Sequence, residues 1–221
     1  MTVSTFFPDA SPETTSVDGR VERSPTPAES WASIRDGVGN GAGDADTRTL
    51  IRIAKAGAGS YDTLARYIAL FDTSSLPDND TIDAVTFEGV VIDKSDTLTP
   101  AGQIALVTST PASNTALVTG DYAQLGTVDQ AADVTIASIT ADSATYNVWT
   151  LNATGRGNIS NTGITKFGLR QIADADNVEP TGTSGDNYIR LANADEDLAG
   201  DKRPKLVVTH TSTFTPRVIV F

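Results

Sequence analysis

The strongest pattern along the chain is an apolar run, residues 66–71, that stops in a polar turn, residues 72–77. Tyr67 and Phe71 fall on one face of an extended chain, whereas Ile68 falls on the other. Because both faces are apolar, the pattern predicts an inner strand that is covered on both sides. The turn reads Asp-Thr-Ser-Ser-Leu-Pro, in which short polar side chains bond nearby backbone groups and the proline holds the residue before it extended.

Similar β-prone runs recur along the chain, separated by glycine, proline and short polar residues. They lie at residues 14–22, 47–54, 66–71, 81–93, 103–110, 134–139, 145–151, 164–172, 188–192 and 205–211. Short helical turns are predicted at 121–125 and 152–159, and residues 30–35 fit either a helical turn or a short strand. With about ten strands and no long helical periodicity, the sequence predicts an all-β fold, a two-sheet antiparallel β-sandwich of jelly-roll type.

Composition excludes several classes of function. The 16 basic and 28 acidic residues give a net charge of −12, which argues against nucleic acid as a partner because phosphate binding needs a basic surface. The chain has no cysteine, so disulfides and thiolate metal sites are excluded. No run approaches the ~20 apolar residues of a membrane span, and the first residues lack the basic start of a secretory signal. We therefore expect no membrane insertion. Either a signal has been removed from this sequence or the protein is made and assembled in the cytoplasm.

Catalytic chemistry finds little support in the sequence. His210 is the one histidine, so any nucleophile–histidine–acid triad must use it. It alternates with Thr209 and Thr211 at the end of the last predicted strand. No Gly-x-Ser-x-Gly elbow is present. Carboxylate pairs that could cleave glycosides lie in polar loops rather than on a rigid strand face, so we expect a protein that is not an enzyme.

The glycine-rich segment at residues 36–46 has the composition of a phosphate-binding loop or a calcium-binding loop, but it lacks the residue spacing of either. A phosphate-binding loop would end in Lys-Ser or Lys-Thr, which is missing here. Asp44 and Asp46 lack the glycine and glutamate spacing of an EF-hand. The segment is therefore predicted to be a flexible connection between strands.

Two acidic loops carry the best candidates for a metal, Asp174 with Asp176 and Asp195 with Asp197. Calcium prefers loop carboxylates and carbonyl oxygens, and both loops begin like a calcium loop. Neither has glycine at the sixth position. No cofactor is therefore predicted, and a structural calcium ion is kept as the alternative.

Sugar binding by β-sandwiches generally needs exposed aromatic rings. Trp149 lies within a predicted strand and is expected in the core. Tyr61, Tyr122 and Tyr188 lie near loops and are the candidate sugar platforms. The alternative for these three residues is partly buried packing with a solvated hydroxyl.

The organisation predicted is an N-terminal arm at 1–14, a sandwich at 15–211 and a C-terminal tail at 212–221. The tail holds an apolar, β-prone run that would promote aggregation if it stayed exposed. It either folds back on its own domain or docks on a neighbouring subunit, and residues 3–7 leave the same alternatives open. The candidate assembly residues in the tail are Phe214, Val218, Ile219, Val220 and Phe221.

Three stretches together resemble the DNRLRE family of jelly-roll domains over residues 15–211. Residues 66–77 followed by 82–87 are similar to the family's strand ending FDLSSLP and its next strand, and the second stretch is 146–154. Residues 203–211 read Arg-Pro-Lys-Leu-Val-Val-Thr-His-Thr, similar to the family's closing RPKLVVTYT, with His210 where a tyrosine is usual. The family's tryptophan-rich helical turn is absent. The resemblance implies a non-catalytic, carbohydrate-binding-like sandwich on surface or extracellular proteins, without naming a ligand.

Family members are usually secreted, and a version without a signal is similar to those encoded among virion genes of tailed phages. The resemblance therefore implies a virion structural protein, made in the host cytoplasm and displayed on capsid or tail as a decoration or adhesion module. Its expected partners are other virion proteins, copies of itself and a cell-surface glycan. The alternative is a carbohydrate-binding module of a bacterial surface or secreted protein, located outside the cell or at its surface.

Overall fold

The computed structural model describes residues 1–212, which form a mostly-β protein with one large antiparallel sheet of twelve strands. The strands are β1 (Thr2–Phe6), β2 (Asp18–Arg23), β3 (Gly41–Gly43), β4 (Arg48–Gly57), β5 (Ser60–Asp72), β6 (Thr81–Asp96), β7 (Gln103–Thr108), β8 (Val134–Thr135), β9 (Tyr146–Thr150), β10 (Ile164–Gln171), β11 (Gly185–Ala192) and β12 (Lys205–Thr211). The helices are α1 (Trp31–Asp36), α2 (Ala153–Gly157) and α3 (Ile172–Ala175), with 3-10 turns at Thr119–Ala123 and Ile136–Ser138.

Strand β5 lies at the centre of the sheet and pairs with β2, β4 and β10. Tyr67 and Phe71 belong to one buried cluster, and Ile68 belongs to a second cluster on the opposite face. The prediction of an inner strand covered on both sides is therefore confirmed. The predicted turn is also confirmed, since the backbone N–H of Ser74 donates to Oδ1 of Asp72 at 3.1 Å.

The sheet curls into a half-barrel because β6 is long enough to pair with different strands along its length. Its first half pairs with β12 and β9, and its second half pairs with β11. The main strand order is β1-β12-β6-β11-β4-β5-β10-β7-β8. The sequence predicted two sheets, whereas hydrogen bonding joins the strands of residues 1–212 into one.

Aromatic side chains fill the inside of the curl. Phe71 and Phe87 meet edge to face with ring centroids 6.0 Å apart, and Phe87 meets Trp149 at 5.8 Å. Nε1 of Trp149 donates to the carbonyl of Ile104 at 3.1 Å, which satisfies the polar atom of a buried ring. The predicted core position of Trp149 is confirmed.

The second cluster lies on the other face of β5 and is covered by α1 and by the 3-10 turn at Thr119–Ala123. Ser30 caps α1, because its hydroxyl accepts the backbone N–H of Ser33 at 3.3 Å. Residues 30–35 are thus resolved as a helical turn. Both other predicted helical turns are confirmed, one as the 3-10 turn and one as α2.

Two segments differ from the prediction. Residues 36–46 contain the short strand β3, which pairs with β2. Residues 134–139 form only a two-residue strand, because the hydroxyl of Thr135 accepts the backbone N–H of Ser138 at 3.3 Å and starts a 3-10 turn. At the N-terminus, residues 3–7 follow the alternative in which they fold on their own domain, since β1 pairs with β12.

Candidate functional site

Strand β1 forms one end of the sheet, and within residues 1–212 it pairs only with β12. It reads Thr-Val-Ser-Thr-Phe, without a charged residue or a proline. The Val3 side chain is 62% exposed. Natural sheets protect their edges with charges, prolines or bulges. A bare edge of this kind can accept a strand from another chain.

The C-terminal end of β12 lies beside the start of this edge. Thr2 is paired with His210, and the described chain ends at Ser212, just beyond β12. Ser212, where the tail begins, therefore follows the end of β12, which lies beside the start of β1. The five candidate assembly residues, Phe214, Val218, Ile219, Val220 and Phe221, lie outside the described residues, and their role stays a prediction.

A partly buried serine–histidine–aspartate chain links elements at the same corner of the sheet. Nδ1 of His210 lies 2.6 Å from Oδ2 of Asp80, and its Nε2 lies 3.0 Å from Oγ of Ser4. These distances match a catalytic triad. Ser4, however, sits in a regular strand opposite Val208 rather than on the sharp turn that presents a catalytic serine. His210 is 4% exposed, and its two bonds link β12 to β1 and to the turn before β6.

A buried cluster of charges lies on the other face of the sheet, where β5, β10, α1 and α3 meet. Asp174 of α3 is bound by two arginines. Arg66 donates from Nε and Nη2 to its two carboxylate oxygens, both at 2.8 Å, and Arg170 donates from Nε at 2.8 Å. Nε of Arg35 donates to the Asp174 carbonyl at 2.9 Å. The Tyr122 ring stacks 3.9 Å from the Arg66 guanidinium.

This cluster argues against Asp174 as a calcium ligand, the alternative that its acidic loop suggested. Burial by itself would raise the pKa of Asp174, but the guanidinium groups of Arg66 and Arg170 outweigh it and hold the pKa at about 2. The carboxylate is therefore ionised and saturated by arginines. One feature of the sequence indicates such a cluster. Arg66 lies on the same apolar strand face as Ile68, and a charged side chain that is buried there must be paired.

The arginines open onto a surface cleft of about 250 Å³. The cleft is lined by Arg35, Asp36, Gly37, Arg66, Ala123, Leu125, Thr127 and Arg170. Arg66 and Arg170 are buried, whereas Arg35 is partly exposed at the rim. Three guanidinium groups face two carboxylates, Asp36 and Asp174, so the cleft carries an excess of one positive charge in a strongly acidic protein.

The other candidate calcium ligands, Asp176, Asp195 and Asp197, do not come together around one site. Asp176 is exposed, and Asp197 pairs with Arg48 at 2.5 Å. Asp195 accepts the backbone N–H of Ser11 at 2.9 Å. Within residues 1–212, no group of three or more histidine, cysteine, aspartate or glutamate side chains is placed to hold a metal ion.

Two of the three candidate tyrosines are buried. The hydroxyl of Tyr61 donates to the carbonyl of Pro180 at 2.7 Å, and that of Tyr122 donates to the carbonyl of Ile34 at 2.6 Å. The prediction that these rings could serve as exposed sugar platforms is wrong, because α1 and its neighbouring segments cover both. Tyr188 is half-buried on β11.

No protein-family model matches the chain, and no curated protein matches it. The resemblance to DNRLRE domains therefore stays a prediction. In the part of the chain that the structure describes, no helix is long and apolar enough to cross a membrane.

Proposed function

We propose that this chain is a non-enzymatic structural protein of a tailed-phage virion, displayed on capsid or tail as a decoration or adhesion module. The observation that carries the proposal is the uncharged β1 edge with the tail beginning beside it. Strand addition at that edge would join the protein to copies of itself or to other virion proteins. Main-chain hydrogen bonds would supply affinity, and alternating side chains would supply specificity.

The same proposal includes a fold of two layers, a jelly-roll sandwich formed by bending one hydrogen-bonded sheet. The contact of Phe71 on β5 with Phe87 on β6 supports it, because those strands are separated along the sheet order yet their rings touch across the core. The Trp149 bond to Ile104 joins β9 to β7 in the same way. Such a shape leaves β1 at the end of one layer, where a neighbour can reach it.

The chain would be made in the host cytoplasm and would become external by assembling on the particle. A high negative charge keeps such a subunit soluble before assembly. The buried tyrosines, Tyr61 and Tyr122, favour this function over the sugar-binding alternative, because they remove two of its three candidate platforms.

A charge placed on the edge tests the proposal. Val3→Lys puts a lysine on β1, where it should block strand addition as natural edge lysines do. Val128→Lys is the matched control, since Val128 is 63% exposed and lies in a loop, outside β1 and its partner β12. We expect Val3→Lys to shift the full chain from oligomer to monomer in light scattering after gel filtration. The control should assemble as the wild type does.

A chain truncated after Ser212 distinguishes the contribution of the tail to assembly from that of the β1 edge. Loss of assembly in both Val3→Lys and the truncated chain would indicate that edge and tail act together. Assembly that survives Val3→Lys would show that the β1 edge is not the joint. A wild-type chain that stays monomeric and does not bind phage particles would overturn the proposed function.

A further inference from the structure

The arginine-lined cleft on the face opposite the inner core has features that assembly through β1 does not use. Arg66 and Arg170 share the two carboxylate oxygens of Asp174. One buried negative charge therefore faces two buried positive charges. The remaining carboxylate, Asp36, is exposed at the rim and bonds Nη1 of Arg35 at 2.5 Å. The buried charges beneath the cleft thus sum to one positive charge, and burial reduces the screening of these charges by solvent.

Backbone acceptors fix the two buried guanidinium groups. Arg66 donates to the carbonyls of Tyr122 and Arg35. Arg170 donates from Nη1 to the carbonyl of Gly126 at 2.9 Å. Their positions are therefore set before any ligand arrives, and binding would need little reorganisation.

The donors that remain free belong to the rim. Within residues 1–212, Nη2 of Arg35 donates to no protein acceptor, while Nε of the same side chain is held by the Asp174 carbonyl. The exposed Thr127 contributes a hydroxyl to the same wall. A guanidinium edge and a hydroxyl are suited to an oxyanion, because charge-assisted hydrogen bonds to oxygen are short and strong.

The size of the cleft limits the ligand. At about 250 Å³, it is smaller than the clefts that bury drug-sized molecules. A neighbouring cleft of about 450 Å³ shares Asp36 and Gly37 with it and is lined by Arg23. Arg23 is itself held by Glu29 through bonds of 2.9 and 2.6 Å. The two clefts together offer room for one anionic group and a small carrier.

We propose that the cleft binds one oxyanion group of a small molecule, a phosphate, sulfate or carboxylate, with Arg35 and Thr127 bonding it directly. Arg66 and Arg170 supply the positive field without bonding the ligand. The site is separate from the β1 edge, so it neither requires the assembly function nor explains it.

Titration of the full chain with inorganic phosphate, sulfate and acetate tests the proposal, with chloride as the background salt. The readouts are calorimetry and backbone amide NMR shifts. Arg35→Gln should weaken binding by about tenfold or more, because a hydrogen bond to a charged group is lost. Arg190→Gln is the matched control, since Arg190 lies on β11 and pairs with Asp93 at 3.0 Å. The control should bind within about twofold of the wild type.

Shifts at residues 35–37 and 123–127, lost in Arg35→Gln while its spectrum stays folded, would support the site. Tighter binding of phosphate and sulfate than of acetate would identify a tetrahedral group, and the reverse order a carboxylate. Thr127→Val should lower affinity by a smaller factor. The proposal fails if none of the three anions binds saturably, or if both arginine variants lose affinity equally.

Discussion

Asp174 and Asp18 are both fully buried, yet their surroundings favour opposite charge states. Burial raises the pKa in each case. At Asp174 two guanidinium groups reverse the effect and hold the pKa at about 2. At Asp18 burial raises the pKa to about 7, and the nearby carboxylates of Asp195 and Glu13 add to the rise. Two hydrogen bonds lower the pKa but do not outweigh burial: the Tyr67 hydroxyl donates at 2.6 Å and the Ala194 N–H at 3.1 Å. Charged partners, rather than burial, decide which aspartate is ionised.

The two aspartates also differ in the sign of the charges around them. Asp174 anchors a cluster with surplus positive charge beneath a cleft. The charged groups that shift the pKa of Asp18 are the carboxylates of Asp195 and Glu13, and burial and nearby acids also raise the pKa of Glu13. A neutral hydrogen bond therefore leaves a buried acid sensitive to pH near neutrality, whereas an arginine pair removes that sensitivity.

The largest effect is expected from Asp174→Ala, which breaks the paired site. Arg66 and Arg170 would keep their charges in the interior without a carboxylate, and breaking a buried pair in this way costs about 3–5 kcal/mol. Urea unfolding measures the loss. Asp176→Ala is the matched control two positions away, where the side chain is exposed. A loss no greater than that of the control would show that the arginines do not depend on Asp174.

Asp18→Asn should remove a pH dependence that the wild type shows. Between about pH 4 and 7 folded Asp18 keeps its proton while the unfolded chain releases it, so stability falls as pH rises. The slope is at most about 1.4 kcal/mol per pH unit and ends above the folded pKa. Unfolding free energies of wild type and variant, measured at several pH values, give the difference. Parallel curves for the two proteins would contradict the raised pKa.

A smaller effect is expected from Asp80→Asn, which tests an intermediate case where a buried carboxylate has a histidine as its partner. Weakening the bond to His210 should cost about 1–3 kcal/mol of stability. Asp78→Asn, at an exposed position in the same turn, is the control. Thermal unfolding reports the difference. Ester hydrolysis that disappears in Ser4→Ala would show instead that the serine–histidine–aspartate chain is catalytic.

The comparison also explains what the sequence could predict. The alternation at residues 66–71 encodes two buried faces, and both were found because periodicity is a local property. The pairing of Arg66 with Asp174 spans 108 positions, and no local pattern specifies it. Asp174 resembled a calcium ligand only because its loop is acidic. Tyr61 and Tyr122 lie near loops in sequence, but α1 covers them in space.

The local pattern does not predict the curl of the sheet, for a related reason. Val85 and Phe87 are two positions apart in residues 81–93, so the pattern places them on one face of a strand, and both are buried. It does not specify that β12 pairs with the first half of the strand and β11 with the second. Which strands pair depends on residues far apart along the chain. The local pattern therefore predicts the strands but not their joining into one hydrogen-bonded sheet.

The pairing of Thr2 with His210 has a mechanical consequence. The start of β1 and the end of β12 therefore lie at the same end of two neighbouring antiparallel strands. A force that pulled the two termini apart would load the β1–β12 hydrogen bonds one pair after another, from Thr2 towards Phe6, because those bonds lie across the strands. The domain would then unzip at low force and expose β12 as a new edge. A protein held at one end only would carry no such load.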